Sequence, residues 1–525
     1  MKKVLYYSID TLQLLSGYLA RFNSTRMYLN RKIEVNCQEK KQQTIMIFDS
    51  WCGCFSGSFV ATIFIFGGYI AVYGIQALTL PYNSNFNLAD LNGMNYSQMV
   101  DFIRTKNLYR ARNITYLDYA TSNLYPDLII NEMSKNLKKN LYGNTHSESK
   151  SSDLSTDAVE NLRRRILKYL GTTLAKYTVI FTYSNGQAMK ILAEALPLNS
   201  SSYYFYSKSS DFDMIGLKSY ANDKKAKLHD FDFISINNIS KFDGFSSSGL
   251  HLVSFPLVDL FDGTTVTKEQ MKQVISLNSS ESFVVTLADA SYYLSFNKLN
   301  LSETPFSAVS FSFEHLFGFP KLGVLVIENN LVNILQKPYF GGGTLVYALP
   351  SDNFAKLRLK PSERFEDGSL PFLNIVAVDS GFDLFEKLQI SEIQKNVFDK
   401  TLKVRHLISN LKYSDGKQAT IVYGHNNPNS IISFNFIDRN GKELPFYNIY
   451  SNALKYNIQL SVGCHKTPLT CISNSLTIDE KYVKENFDTF DFSSIGSIRL
   501  SIGWATTTED VNRIEEWLHD EISNL

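Results

Sequence analysis

The side chains best able to do chemistry unaided are the five cysteines, Cys37, Cys52, Cys54, Cys464 and Cys471. Thiolates bind metals, form disulfides or act as nucleophiles, and their spacing helps to separate these uses. Cys52 and Cys54 stand too close together for a zinc site, and no Cys or His pair completes a tetrahedral set around them. Five cysteines in 525 residues also exclude a disulfide scaffold. Cys464 and Cys471 fall in GCHKTPLTC, where a buried cysteine is the ordinary reading of Cys464. Three further features carry charge or conformational freedom: Asp289 in LADAS, Arg499 in GSIRLSIG, and the triplet Gly341, Gly342 and Gly343. Each has an ordinary structural use, as a helix cap, a partner for a surface acid and a turn.

The elements that must position these residues come from a chain with a proper core. Hydrophobic residues make up 44% and charged residues 20%, which is a globular rather than a disordered balance. Lys and Arg total 52 against 51 Asp and Glu. That parity gives no sign of a nucleic-acid partner or an acidic solvating tail. Short apolar runs alternate with amphipathic segments beyond Pro81. TVIFTYS (178–184) reads as a buried strand, and NGQAMKILAEAL opens a helix directly after it. HLVSFPLV, SFVVTLAD, SAVSFSF and LGVLVI read as further strands, and the alternation predicts a mostly parallel sheet with helices on both faces. In DAVENLRRRILKYLG, Val159, Leu162, Ile166 and Leu170 share one face. Asp157 and Glu160 read as a capping box there, and Gly171 as the stop. Residues 146–156 read as a short polar loop. After Phe382 the pattern is helix (EKLQISEIQKNVFDKTLKVRHLISNL), strand (SIISFNF), helix, strand (GSIRLSIGW) and a final helix from Glu509. The predicted organisation is a tail (1–54), a membrane helix (55–80), a linker (81–115), a large α/β domain (116–382) and a small α+β domain (383–525).

The membrane helix rests on FSGSFVATIFIFGGYIAVYGIQALTL, which runs from Phe55 to Leu80 without a charged residue. At about 1.5 Å per residue it reaches roughly 39 Å, enough to cross a hydrocarbon core of about 30 Å. A buried core helix is the alternative. Eight Lys or Arg precede it against four acids, and none lies between 81 and 103. The positive-inside rule therefore predicts a single-pass protein with its amino end in the cytoplasm, in a membrane left open. Sequons at Asn95, Asn113, Asn199 and Asn300 would then permit glycosylation in a lumen.

Five motifs occur in the order and spacing of one family: YLDYATSNLY (116–125), YGNTHS (142–147), YFGGGT (339–344), RFEDGSLPFL (364–373) and GSIRLSIG (496–503). With them the chain resembles the aminotransferase class V half of the molybdenum cofactor sulfurases, relatives of cysteine desulfurases. The resemblance covers roughly 100–525. It implies a fold-type-I pyridoxal-phosphate architecture, usually a homodimer with its active site at the subunit interface, and a small amino-acid-like substrate. It also implies site residues, several of which are replaced. SFEHLFGFP puts His315 where the family carries its Schiff-base lysine, and imidazole has no primary amine to form that aldimine. Lys321, six residues on, is the substitute. GCHKTPLTC puts Lys466 where the persulfide cysteine belongs, with Cys464 the nearest thiol. SDFDMIG puts Asp211 at the histidine that stacks on the pyridine ring, and Val258 replaces a glutamine. The phosphate loop has drifted to YSNGQA, where Tyr183 and Gln187 add bulk while Ser184 and Gly186 still allow a helix N-terminus to meet an anion. Other positions persist. Asp289 matches the acid that keeps the pyridine nitrogen protonated, and Arg499 the arginine that clamps the substrate carboxylate. Gly341 to Gly343 and Thr344 match the loop that reaches the phosphate across the dimer. No metal is implied.

Three functional readings follow. The first is a membrane-anchored, degenerate family member serving as a binding module. The second is an enzyme using noncovalent pyridoxamine phosphate with His315 as proton-transfer base, since imidazole titrates near neutrality. The third is an active sulfurtransferase using Lys321 and Cys464. The chain stops after the last helix, so the family's half that receives the molybdenum cofactor is expected to come from elsewhere if it is used at all.

Overall fold

A computed structural model describes residues 86–525, apart from 234, 243–244, 246–248, 279–281, 425–429, 475–479 and 486–494. The predicted tail and the 55–80 segment lie outside the described residues. Among the described residues no helix is long and apolar enough to cross a membrane. The chain divides into two units, 1–82 and 83–525, and every described element belongs to the second.

Seven strands build the main sheet: β1 (Tyr177–Thr182), β2 (Tyr203–Ser207), β3 (Lys227–Phe231), β4 (Leu250–Pro256), β5 (Phe283–Asp289), β6 (Ala308–Ser312) and β7 (Gly323–Glu328). Their order across the sheet is 3-2-4-5-6-7-1, and only β7 runs antiparallel to its neighbours. The near-continuous apolar runs follow from burial on both faces. In β7, Val324 and Val326 join one hydrophobic core while Leu325 and Ile327 join the other. Tyr204 and Phe205 divide in the same way along β2. Strands β2 and β3, YYFYS and KLHDF, went unread in the sequence because their tyrosines and charges hide the apolar pattern.

Around this sheet lie α1 (Asp127–Lys139), α2 (Lys150–Tyr169), α3 (Asn185–Ala195), α4 (Phe212–Gly216), α5 (Phe313–Phe317) and α6 (Phe372–Leu388). Helix α2 corrects the expected start at Asp157. Ser149 caps it by accepting from the Ser152 amide at 3.3 Å, so its first two turns occupy most of the stretch read as a polar loop. The helix expected after Phe382 is instead two. Helix α6 ends at Leu388, and Gln389, with a φ of 63°, turns the chain into α7 (Ile390–Ser409).

A second sheet, antiparallel throughout, has the order β8 (Thr420–Val422), β9 (Ile431–Phe436), β11 (Ser497–Ser501) and β10 (Ser461–Gly463). Helices α8 (Pro468–Asn474) and α9 (Thr508–Asn524) belong to this part of the chain. The segment 115–120 is stitched to it: Thr115–Tyr116 pair with Ile458–Gln459, and Asp118 bridges Ser501. A buried ion pair locks the large sheet's edge. Glu366, in RFEDG, accepts from the Phe181 amide and from Arg163 Nη2, both at 2.7 Å.

Candidate active site

Strands β1, β2, β4, β5 and β6 are mutually parallel, so their carboxyl ends meet along one rim of the sheet, where open α/β sheets bind ligands. From those ends come Asn185 after β1, Asp211 and Asp213 after β2, Val258 after β4, Asp289 at the end of β5 and His315 after β6. The small sheet contributes Arg499 from β11 and Ser461 from β10, and the turn after β10 adds His465 and Lys466. All of them line one cavity of about 330 Å³. Asp211, Asp289, His315, Lys466 and Arg499, singled out in the sequence from five separate segments, are therefore neighbours.

Each is held by its local structure. Asp211 caps the short helix α4, accepting from the Met214 amide at 3.0 Å. Burial and the nearby Asp289 push its carboxyl up to about 7. Asp289 accepts from the Ser291 amide at 2.9 Å, and burial raises its pKa as well. His315 lies on α5, with Ser312 Oγ 2.9 Å from its Nδ1. Gly318 ends that helix at φ +71°. A Cβ there would collide with the Asn123 carbonyl, so glycine meets both demands. Burial, then the charges of Lys466 and Arg499, push the His315 ring down to about 4. The expectation that His315 titrates near neutrality is thereby corrected: the ring is desolvated beside two cations, and it stays neutral at neutral pH. Arg499 is buried and donates to the Leu260 carbonyl at 3.0 Å, to Thr121 Oγ1 at 2.8 Å and to Asp118 Oδ1 at 3.3 Å.

Of the remaining sequence candidates, Ser184 and Gly186 flank the lining residue Asn185, and the others lie apart. Ser184 caps α3 by accepting from the Gln187 amide at 3.2 Å. Gly186 follows at the helix start, and a Cβ on it would sit 2.7 Å from the Asp213 carboxyl. The anion at this helix N-terminus is thus the chain's own. Lys321 is not among the lining residues, and its Nζ lies 4.6 Å from the centre of the Tyr183 ring. Cys464 forms a disulfide with Cys471, so its thiol is engaged. Gly343 and Thr344 are away from the cavity lining: Gly343 packs on His146, and Thr344 Oγ1 donates to the Gly341 carbonyl at 2.7 Å. Sequence reasoning passed over Asp213, Asn185, His465 and Asp118. All four fall inside segments quoted for neighbouring residues, SDFDMIG, NGQAMKILAEAL, GCHKTPLTC and YLDYATSNLY, so those segments were the available signal. Among the described residues no group of three or more His, Cys, Asp or Glu is arranged to hold a metal.

A sheet of this order with one antiparallel strand, joined to a small α+β part, defines a fold-type-I, cysteine-desulfurase-like protein. Solved structures agree on the fold. Apo cysteine desulfurase from Thermococcus onnurineus NA1 superposes with a TM-score of 0.66 at 16% identity, covering 81% of this chain and 98% of that one. The cysteine desulfurase CsdA of Escherichia coli gives 0.65 at 14% identity, covering 83% and 100%. The aminotransferase class-V family model matches residues 115–514, and the chain belongs to that family. Within it the chain is similar to the molybdenum cofactor sulfurases of Bos taurus, 31% identical over 78% of this chain and 50% of that protein, and of Homo sapiens, 30% over 80% and 51%. It spans about half the length of these relatives.

The family's cofactor can be tested against these residues. Pyridoxal phosphate needs an amine for its aldehyde, an anion cradle for its phosphate and an acid for its ring nitrogen. Asp289 supplies the acid. His315, which the resemblance sets at the amine's position, offers only ring nitrogens; the primary amine among the lining residues is that of Lys466, and Asp213 brings a carboxyl to the start of α3. The Asp213 carboxyl at the helix start does not fit the cofactor's phosphate.

Proposed function

We propose that this chain is a degenerate molybdenum cofactor sulfurase-like protein that has kept the class-V fold and lost pyridoxal-phosphate-dependent cysteine desulfuration, so that its cavity serves as a binding site. The observation that carries the reading is His315. It lines the cavity at the Schiff-base position with a ring that cannot form an aldimine. Lys466 at the persulfide position and the engagement of Cys464 with Cys471 support the loss of a second, separate step. The low pKa of His315 weighs against its use as a proton-transfer base at neutral pH. The test is borohydride reduction with pyridoxal phosphate, followed by peptide mass mapping and assay of alanine and persulfide from cysteine. No adduct and no product are expected. A reduced adduct at Lys321 with sulfur release would restore the sulfurase.

Two further parts of the reading concern the whole protein. The chain is a homodimer, supported by the family's use of the YFGGGT loop and by the exposed Tyr339, Phe340, Val346, Tyr347 and Leu359 on and beside that loop. It is anchored in a membrane by 55–80, supported by the charge-free sequence of that segment. Retention in the pellet after alkaline carbonate washing is the expected result, and release would remove the anchor.

A further inference from the structure

Helix α3 brings backbone donors to the rim of the cavity. Ser184 Oγ accepts from the Gln187 amide at 3.2 Å, and the Ser184 carbonyl accepts from the Ala188 amide at 3.1 Å. The Asn185 and Gly186 amides come before any carbonyl that could accept from them within the helix, and such amides attract an anion. Gly186 leaves space beside them. A Cβ on it would lie 2.7 Å from Asp213 Oδ2 and 3.0 Å from Oδ1, so the space is held by that carboxyl. The backbone of Asp213 is fixed from both sides. Asp211 before it caps α4 through the Met214 amide at 3.0 Å, and Met214 after it is buried, its carbonyl accepting from the Tyr204 hydroxyl at 2.8 Å. Burial is the main cause that raises the Asp211 and Asp289 carboxyls, and the negative charge of Asp213 adds to both.

We propose that Asp213 is a tethered anion standing in for a phosphate at the start of α3, so that the cavity rejects phosphate esters and one substitution reopens it to them. The proposal rests on the reading that cofactor chemistry has been lost. It deepens that reading by naming the residue that closes the subsite and the ligand class it turns away. Two effects act together. The carboxyl fills the space beside Gly186 through which a phosphate would reach the amides. Its charge also opposes a dianion in the same place, and like charges set side by side are a strong means of rejecting a ligand. A side chain joined covalently to the fold competes well with a free anion, because it gives up no translational freedom on meeting its donors. The lining cations do not offset this readily. Lys466 and Arg499 come from the small sheet and the turn after β10, and Arg499 already donates to Leu260, Thr121 and Asp118. The same ligand without its phosphate meets neither obstacle, so the exclusion is specific to that group.

The experiment is calorimetric titration of the purified full chain, at fixed ionic strength, with inorganic phosphate, pyridoxine 5′-phosphate and pyridoxine. None of the three carries an aldehyde, so lysines take no covalent part. The unaltered chain is expected to bind the phosphate ester no more tightly than pyridoxine. Asp213→Ser removes both the charge and the bulk. It is expected to bind pyridoxine 5′-phosphate about ten-fold more tightly than the unaltered chain, and inorganic phosphate more tightly too, with pyridoxine changed less than about two-fold. Asp213→Asn keeps the bulk without the charge, and a smaller gain in the same direction is expected. Asp213 is exposed, so both changes leave the core untouched, and urea midpoints check that each variant folds. A clear preference of the unaltered chain for the phosphate ester overturns the proposal without any variant. No gain in folded Asp213→Ser, or an equal gain for pyridoxine, overturns it as well. Borohydride trapping with pyridoxal phosphate on the same preparation keeps the two readings apart. A lysine adduct with sulfur release from cysteine defeats the loss of cofactor chemistry, whereas no adduct together with no gain in Asp213→Ser defeats only this inference.

Discussion

Glu366 is the residue on which the large sheet's edge most plainly depends. Its two oxygens are divided between Arg163 and the Phe181 amide, and the Arg163 and Glu366 side chains are each 3% exposed. Removing one member of a buried pair strands the other charge, at about 3–5 kcal/mol. Glu366→Ala should therefore lower unfolding free energy by about that amount in urea, and a loss below about 1 kcal/mol would show the pair to be idle. Asp211 predicts a pH effect of definite sign. Burial and Asp289 raise its carboxyl to about 7, against about 3.9 for a free aspartate. Between those values the folded chain holds a proton that the unfolded chain has released, so its contribution to stability is complete below about pH 4 and is lost by about pH 7. His315, pushed down to about 4, works the other way as pH falls below its ordinary value near 6.5. Comparing variant with parent cancels that second effect. Asp211→Asn keeps an N-cap side chain and should gain on the parent as pH rises from 4 to 7, by on the order of 1–3 kcal/mol in urea midpoints. A gap that stays constant with pH would show that Asp211 titrates normally.

At the scale of elements, the short helix α5 depends on how it ends. Five residues cannot sustain a helix by propensity, so its place is set by packing of Phe313, Leu316 and Phe317 and by the left-handed Gly318. An L-residue in that conformation costs roughly 1–2 kcal/mol, and here a Cβ would also collide with Asn123. Gly318→Ala should lower the urea midpoint by at least that energy and disturb His315, three residues before it. An unchanged midpoint would mean that the turn relaxes freely. The turn after β10 is placed in a comparable way. His465 and Lys466 both take positive φ, 52° and 67°, between Cys464 and the start of α8, and the Cys464–Cys471 disulfide closes that stretch on itself. This is why a lysine in a surface-like sequence arrives at the cavity.

For the whole molecule, the loop 339–344 sets the question of assembly. Asp367 fixes it within its own chain, accepting from the Gly341 amide at 2.9 Å and from Lys337 Nζ at 2.8 Å. The aromatic side chains Tyr339, Phe340, Tyr347 and Phe354 on and beside it remain exposed. In the proposed homodimer a second copy would cover this apolar surface. Residues 83–525 expressed without the preceding segment should show a dimeric mass by light scattering at micromolar concentration. A monomeric mass would remove this loop from any cavity.

The sequence by itself determined the elements with strong patterns and the residue types that the resemblance sets at the family's site positions. Strands such as LGVLVI and SFVVTLAD announce themselves because both faces are buried, so most positions are apolar. Ordered motifs such as YFGGGT and RFEDG were enough to place His315, Lys466, Asp289 and Arg499 against a family. What lay beyond reach were properties that depend on groups distant along the chain. No local pattern tells that Asp213 lies on Gly186, that Cys464 is bonded to Cys471, or that Lys321 turns aside to Tyr183. Nor does it tell that burial beside Lys466 and Arg499 silences the His315 ring. The cavity is assembled from the ends of five strands and from a second sheet, and the charge borne by each group there is set by burial and by neighbours from other segments. Residue types follow from the chain alone, but their electrostatics arise only once the tertiary structure has brought them together.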